Sequence, residues 1–170
     1  MKQKIILFII LLPAIVFSGK SLAQTSFELP QDIELNTKED YAAYESTLVA
    51  AATWLEQTDL DKYAEKRKEV NTFIVKYLTG TPDITIGVNS VLTKLTSKNI
   101  QLLTIYLASY GKYVIENKNS TTQNAATKAA LTSIINVYKR GIGVVRSKEM
   151  EKISNLSDAE LEKFVLEKFN

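Results

Sequence analysis

The chain has 170 residues, 45% of them hydrophobic and 24% charged, with 6 glycines, 3 prolines and neither cysteine nor histidine. Without histidine the commonest general base and metal ligand are gone, and without cysteine so are thiol nucleophiles, thiolate zinc sites and disulfides. What chemistry remains rests on carboxylates, lysines, tyrosines and hydroxyls; no cofactor or metal site is indicated, and so few chain breakers point to one helical domain.

Residues 1–23 read as a cleavable signal peptide. Lys2 and Lys4 lead into an apolar run from Ile5 to Phe17, and Ser21-Leu22-Ala23 places small residues before a cleavage point at Gln24. The competing reading is a retained anchor, but this run of 13 residues would span about 20 Å as a helix, against a hydrocarbon core of about 30 Å. The expected location is periplasmic or secreted, with no stable transmembrane segment after cleavage. Cleavage would also remove three of the 21 basic residues and none of the 19 acids, leaving 18 against 19. A near-neutral surface has no long-range attraction for phosphate, so no nucleic-acid partner is expected.

Residues 24–36 carry Pro30 and no helical period, which predicts an extended leader. A single all-helical domain is expected over 37–170. Thr37 and Asp40 form a capping-box pattern, and Tyr41, Tyr44, Leu48 and Leu55 recur at helical spacing, so one helix is expected over about 38–57. Thr58 with Asp61 repeats the capping signal before Tyr63, Val70, Phe73, Ile74 and Tyr77, and that second helix should stop at Gly80.

From Gly80 to Val88 the period changes to two, with Ile84, Ile86 and Val88 on one side of an extended crossing. Val91, Leu92 and Leu95 suggest a short helix. Asn99 then stands where it could cap a helix over about 100–117 that is apolar on nearly every side and therefore central. After the polar turn Asn117–Thr121, alanines at 125, 126, 129 and 130 face a helix ending at Gly141. A short helix over 147–155 and a terminal one opened by Ser157 and Glu160 complete an all-α fold: a compact bundle of six or seven helices with short connections.

Few residues carry a chemical signal. Tyr106, Tyr110 and Tyr113 stand at i, i+4 and i+7, a stripe that could line a pocket for an apolar or sugar-like ligand but that is more often core. Asp83, with Thr81 and Thr85, could border a cleft on the crossing segment, which is otherwise the ordinary form of a helix stop followed by proline. Ser109-Tyr110-Gly111-Lys112 matches S-x-x-K, but the companion motifs of serine acyl-transferases are missing or out of order. Asp59 with Asp61 and Glu149 with Glu151 sit near helix starts, where carboxylates serve as caps. No residue is assigned a catalytic role.

Lys76-Tyr-Leu-Thr-Gly-Thr-Pro-Asp-Ile-Thr-Ile86, Asn99-Ile-Gln-Leu-Leu-Thr-Ile-Tyr106 and Tyr113-Val-Ile-Glu-Asn117 resemble a group of small exported all-helical proteins of Bacteroidetes-type Gram-negative bacteria, an uncharacterised family. The resemblance covers about residues 40–155 and implies a periplasmic or secreted helical protein, with no site residues to transfer. The expected role is a non-enzymatic protein-interaction or structural component of the cell envelope, with an envelope protein as partner. A ligand carrier with a tyrosine-lined pocket is the alternative, and a hydrolase with two facing carboxylates a more distant one.

Overall fold

The first helix starts where the Thr37 hydroxyl accepts the Asp40 N–H while the Asp40 carboxylate accepts the N–H groups of Asn36 and Thr37, the reciprocal cap that the spacing implied. The structure, a computed structural model, describes residues 27–169. The expected signal peptide and the first residues of the leader lie outside the described residues. The described chain forms eight helices: α1 (Lys38–Ala43), α2 (Glu45–Gln57), α3 (Ala64–Gly80), α4 (Ser90–Thr96), α5 (Gln101–Glu116), α6 (Gln123–Arg140), α7 (Lys148–Ser154) and α8 (Asp158–Lys168).

The helix expected over 38–57 is broken at Tyr44, where φ is −97° and ψ is 7°. The cause lies on α3: the Tyr77 hydroxyl donates to the Tyr41 carbonyl at 2.8 Å, the acceptor that Glu45 N–H would use in an unbroken helix. The start of α3 also moves. Thr58 and Asp61 do not cap α3; Arg67 instead reaches back and donates to the carbonyls of Thr58 and Asp59 at 3.1 and 2.8 Å. The 58–63 turn wraps that guanidinium, and α3 begins at Ala64 after a left-handed Tyr63 with φ 54°.

Helix α3 ends at Gly80, but its cap residue Thr81 is extended, with φ −65° and ψ 132°. Glycine is needed there for close approach, since the Tyr41 hydroxyl occupies the place a Cβ would take. By contrast, Gly141 closes α6 in the left-handed conformation, φ 75°, as a glycine stop should. On the crossing segment Ile84 is buried and Ile86 partly so, while Val88 faces solvent.

Residues 27–36 form an extended strap along α3. Glu28 pairs with Lys66 at 2.6 Å, and Lys76 donates to the Ile33 carbonyl at 3.3 Å. Between these two contacts the strap bends at Gln31 and Asp32, the latter left-handed with φ 53°. Leu35 is buried, and the Phe27 ring lies 6.4 Å from Trp54.

Helix α5 is the central element: it packs against α2, α3, α4 and α6 and buries Leu102, Ile105, Tyr106 and Ala108 completely. Ala126 and Ala130 are fully buried on α6, small enough for α5 to come close. Among the described residues no helix is long and apolar enough to cross a membrane.

Candidate functional site

The tyrosine stripe divides between core and surface. Tyr106 is fully buried, its ring stacked 6.4 Å from Phe169. Burial pushes its pKa up to about 12, opposed by a side-chain hydrogen bond with Thr127. Tyr110 is buried beside it and its phenol is also raised by burial.

Tyr113, half-buried, lines a groove of about 400 Å³ with Asn124, Lys128 and Glu162. Lys128 is held there by Asp158 at 2.7 Å and Glu162 at 3.1 Å. Asp83 lies elsewhere, paired with Lys38 at 3.1 Å, and borders a depression of about 240 Å³ with Glu45, Tyr77 and Lys118. The four candidate residues therefore do not surround one cavity.

Ser109 and Lys112 both turn to Glu56, a residue with no signal in the sequence. Glu56 Oε1 accepts from Ser109 at 2.8 Å and from Ser133 at 3.1 Å, and Oε2 lies 2.9 Å from Lys112 Nζ. The junction ties α2, α5 and α6 together. The lysine base of S-x-x-K chemistry is not formed, because the amine that would be aimed at the hydroxyl is committed to the Glu56 carboxylate.

The acids weighed as pairs are also engaged separately. Asp59 faces Arg140 at 3.6 Å, Asp61 faces Lys62 at 3.5 Å, and Glu151 accepts from Tyr138 and Arg146, each at 3.0 Å. Among the described residues no group of three potential ligands could hold a metal ion.

A different surface stands out. One face of α3, formed by Ala64, Arg67, Lys68, Asn71, Thr72, Val75 and Lys76, together with Gln101 at the start of α5, lines an open groove of about 750 Å³. Its lining holds three cations and no carboxylate. Val75, a large apolar residue, is exposed in the groove itself; Ile100, which precedes Gln101 in the chain, is 68% exposed but is not part of the lining. Val145, 56% exposed, is tethered to the same corner because Asn99 binds its backbone.

Arg67 is the unusual member. It is only 3% exposed, its guanidinium lies 5.6 Å from the Trp54 ring, and it donates through one nitrogen to two carbonyls. Nε and Nη1 have no acceptor. Burial lowers its pKa, offset by Asp59 and reinforced by Arg140. Asn71, one turn along the same face, keeps Oδ1 buried without a donor. A buried cation with unused donors is costly. The readable sign in the sequence was a cation on an apolar stripe, since Arg67 continues Val70, Ile74 and Tyr77 at spacings of three and four.

No family model, curated protein or solved structure matches this chain.

Proposed function

We propose that the protein is an exported, non-enzymatic helical bundle that binds a protein partner at the cell envelope, with the α3 groove as its contact face. The export pattern of residues 1–23 and the resemblance described above support the location. A single observation carries the function: an exposed helix face bearing a groove of about 750 Å³, with Val75 exposed in its lining. An apolar side chain exposed in a groove and rimmed by polar groups, with an arginine among them, is compatible with a docking face.

The test is site-specific photo-crosslinking in the producing cell's envelope. A photoreactive residue at Val75 gives a discrete adduct, and the same residue at Thr132, on the exposed side of α6, gives none. No adduct from Val75, with the protein recovered as a free monomer, would overturn this function. A ligand carrier remains the second reading, favoured by Tyr113 in the groove of about 400 Å³ between α5, α6 and α8. Glu45 and Asp83 border one depression, as a hydrolase would need, but each is taken up by a lysine.

A further inference from the structure

We infer that the arm made of the 27–36 strap and α1 exchanges between two copies of this chain, each arm lying on the α3 of the other copy, with Tyr44 as the hinge. The inference does not rest on the docking function proposed above. It starts from a helix break that the local sequence does not contain.

Residues 38–57 include neither glycine nor proline, and their apolar period runs straight through Tyr44. Yet α1 ends at Ala43, and α2 starts at Glu45 with no side chain capping its first N–H groups. Such a start leaves donors that the preceding turn of a continuous helix would satisfy. The bend is imposed by tertiary contact: by turning back at Tyr44, α1 brings the Tyr41 carbonyl to the Tyr77 hydroxyl of its own chain. Restoring helical geometry there takes a change of about 50° in ψ from the observed 7°, and it swings the arm away from its own α3.

Side chains hold the arm in place. Its inward positions alternate along the strap, with Phe27, Leu29, Ile33 and Leu35 turned to the body and Glu28, Pro30 and Glu34 exposed. Lys66 meets Glu28, Lys76 meets the Ile33 carbonyl, Phe27 lies beside Trp54, Lys38 pairs with Asp83, and the Tyr41 ring packs edge-on to Tyr77 with its hydroxyl at Gly80. Among the described residues no backbone–backbone hydrogen bond joins the strap to α3, so release breaks no ladder.

Each of these contacts can be remade on a second copy, because arm and seat belong to every chain. The hinge is what differs. In the exchanged pair the helix runs through Tyr44 and Glu45 N–H returns to the Tyr41 carbonyl, while the second lone pair of that oxygen accepts the Tyr77 hydroxyl of the other copy. Against this gain stands the tether, which gives the arm an effective concentration on the order of millimolar at its own seat.

The chain has no cysteine, so exchange can be read by crosslinking. Full-length Glu28→Cys and Lys66→Cys chains are mixed, refolded together from denaturant at about 1 mM or about 10 µM, and treated with a short bismaleimide. Crosslinks between the two variants form at the higher concentration and fall at least about tenfold at the lower. The experiment is repeated with Tyr44→Ala and with Tyr44→Gly in both chains. These lose the same ring, but glycine disfavours helix at the hinge, so the crosslinked share is at least about fivefold lower with glycine than with alanine.

Three results would each overturn the inference. One is no crosslink between the variants at the higher concentration, and another is an equal yield when Thr132→Cys, on the exposed side of α6, replaces Lys66→Cys. The third is equal crosslinked shares for Tyr44→Ala and Tyr44→Gly chains that both keep a native circular dichroism spectrum.

Discussion

Asn99 and Val145 pair as two strand residues would: the Asn99 amide donates to the Val145 carbonyl, and the Val145 N–H donates to Asn99 Oδ1, both at 2.8 Å. The residues are 46 apart in sequence, and this side-chain bracket holds the 141–147 turn onto the start of α5. Asn99→Ala leaves a backbone donor and acceptor unpaired in a half-buried place, so it costs about 2 kcal/mol. Urea denaturation measures it: the midpoint falls and the slope stays constant. An unchanged midpoint would mean that water replaces the bracket without loss.

The two glycines of that turn separate backbone conformation from packing. Both are left-handed, with φ 75° at Gly141 and 71° at Gly143. A Cβ on Gly141 would meet nothing closer than 3.7 Å, whereas on Gly143 it would lie 2.6 Å from the Asp61 nitrogen. Gly141→Ala should cost about 1 kcal/mol from conformation. Gly143→Ala carries the same cost plus a backbone collision, about 3 kcal/mol together. Equal midpoints for the two variants would show that the Leu60–Asp61 backbone yields easily.

Glu56 is the polar hinge of three helices, and its removal strands a lysine that is only 22% exposed. Glu56→Ala therefore destabilises by about 2 kcal/mol, less than for a fully buried pair because water reaches both groups. In a Lys112→Ala background the same change costs about 1 kcal/mol less, and a double-mutant cycle reads that coupling directly. Additive effects would assign the cost to Ser109 and Ser133 alone.

Alkaline unfolding should coincide with the last tyrosines to ionise. Tyr77 and Tyr106 are each pushed up to about 12 by burial, from an ordinary 10.0. A phenol is neutral when protonated, so a folded value above the unfolded one gives stability that is complete below about pH 10 and lost as pH rises towards about 12. Tyrosinate absorbance should show a late fraction of the eight tyrosines appearing together with loss of helical ellipticity. On the acid side the sign reverses. Backbone N–H groups of Asn36 and Thr37 lower Asp40, and the Ser157 hydroxyl and N–H lower Glu160. Those two caps help above the ordinary carboxylate range and stop helping as pH falls through it.

Much of the helical plan was legible because it is local. The boxes Thr37–Asp40 and Ser157–Glu160 cap α1 and α8 as their spacing implied, and Gly141 closes α6; each needs only residues within one turn. The central position of α5 followed from a composition apolar all round. The partner of the 27–36 strap could not be read from a segment without a helical period.

The residues that departed from their expected roles were recruited by distant groups. Tyr44 breaks a helix because Tyr77 takes the Tyr41 carbonyl. Thr58 caps nothing, because α3 starts only after Tyr63, and its carbonyl instead accepts from Arg67. Asn99 leaves α5 uncapped because it brackets Val145. Ser109 and Lys112 meet through Glu56 on another helix. Hydrophobic period and capping spacing act over a few residues, so the sequence by itself determined the all-helical class and the caps of α1 and α8, but not the break at Tyr44 that makes eight helices of the six or seven expected. Which polar group meets which is settled only when helices pack, since a buried donor or acceptor takes the nearest partner in space whatever its place in the chain. The α3 groove belongs to that second kind: its cations lie together on one helix face, and only tertiary packing left the face open and two Arg67 nitrogens without an acceptor.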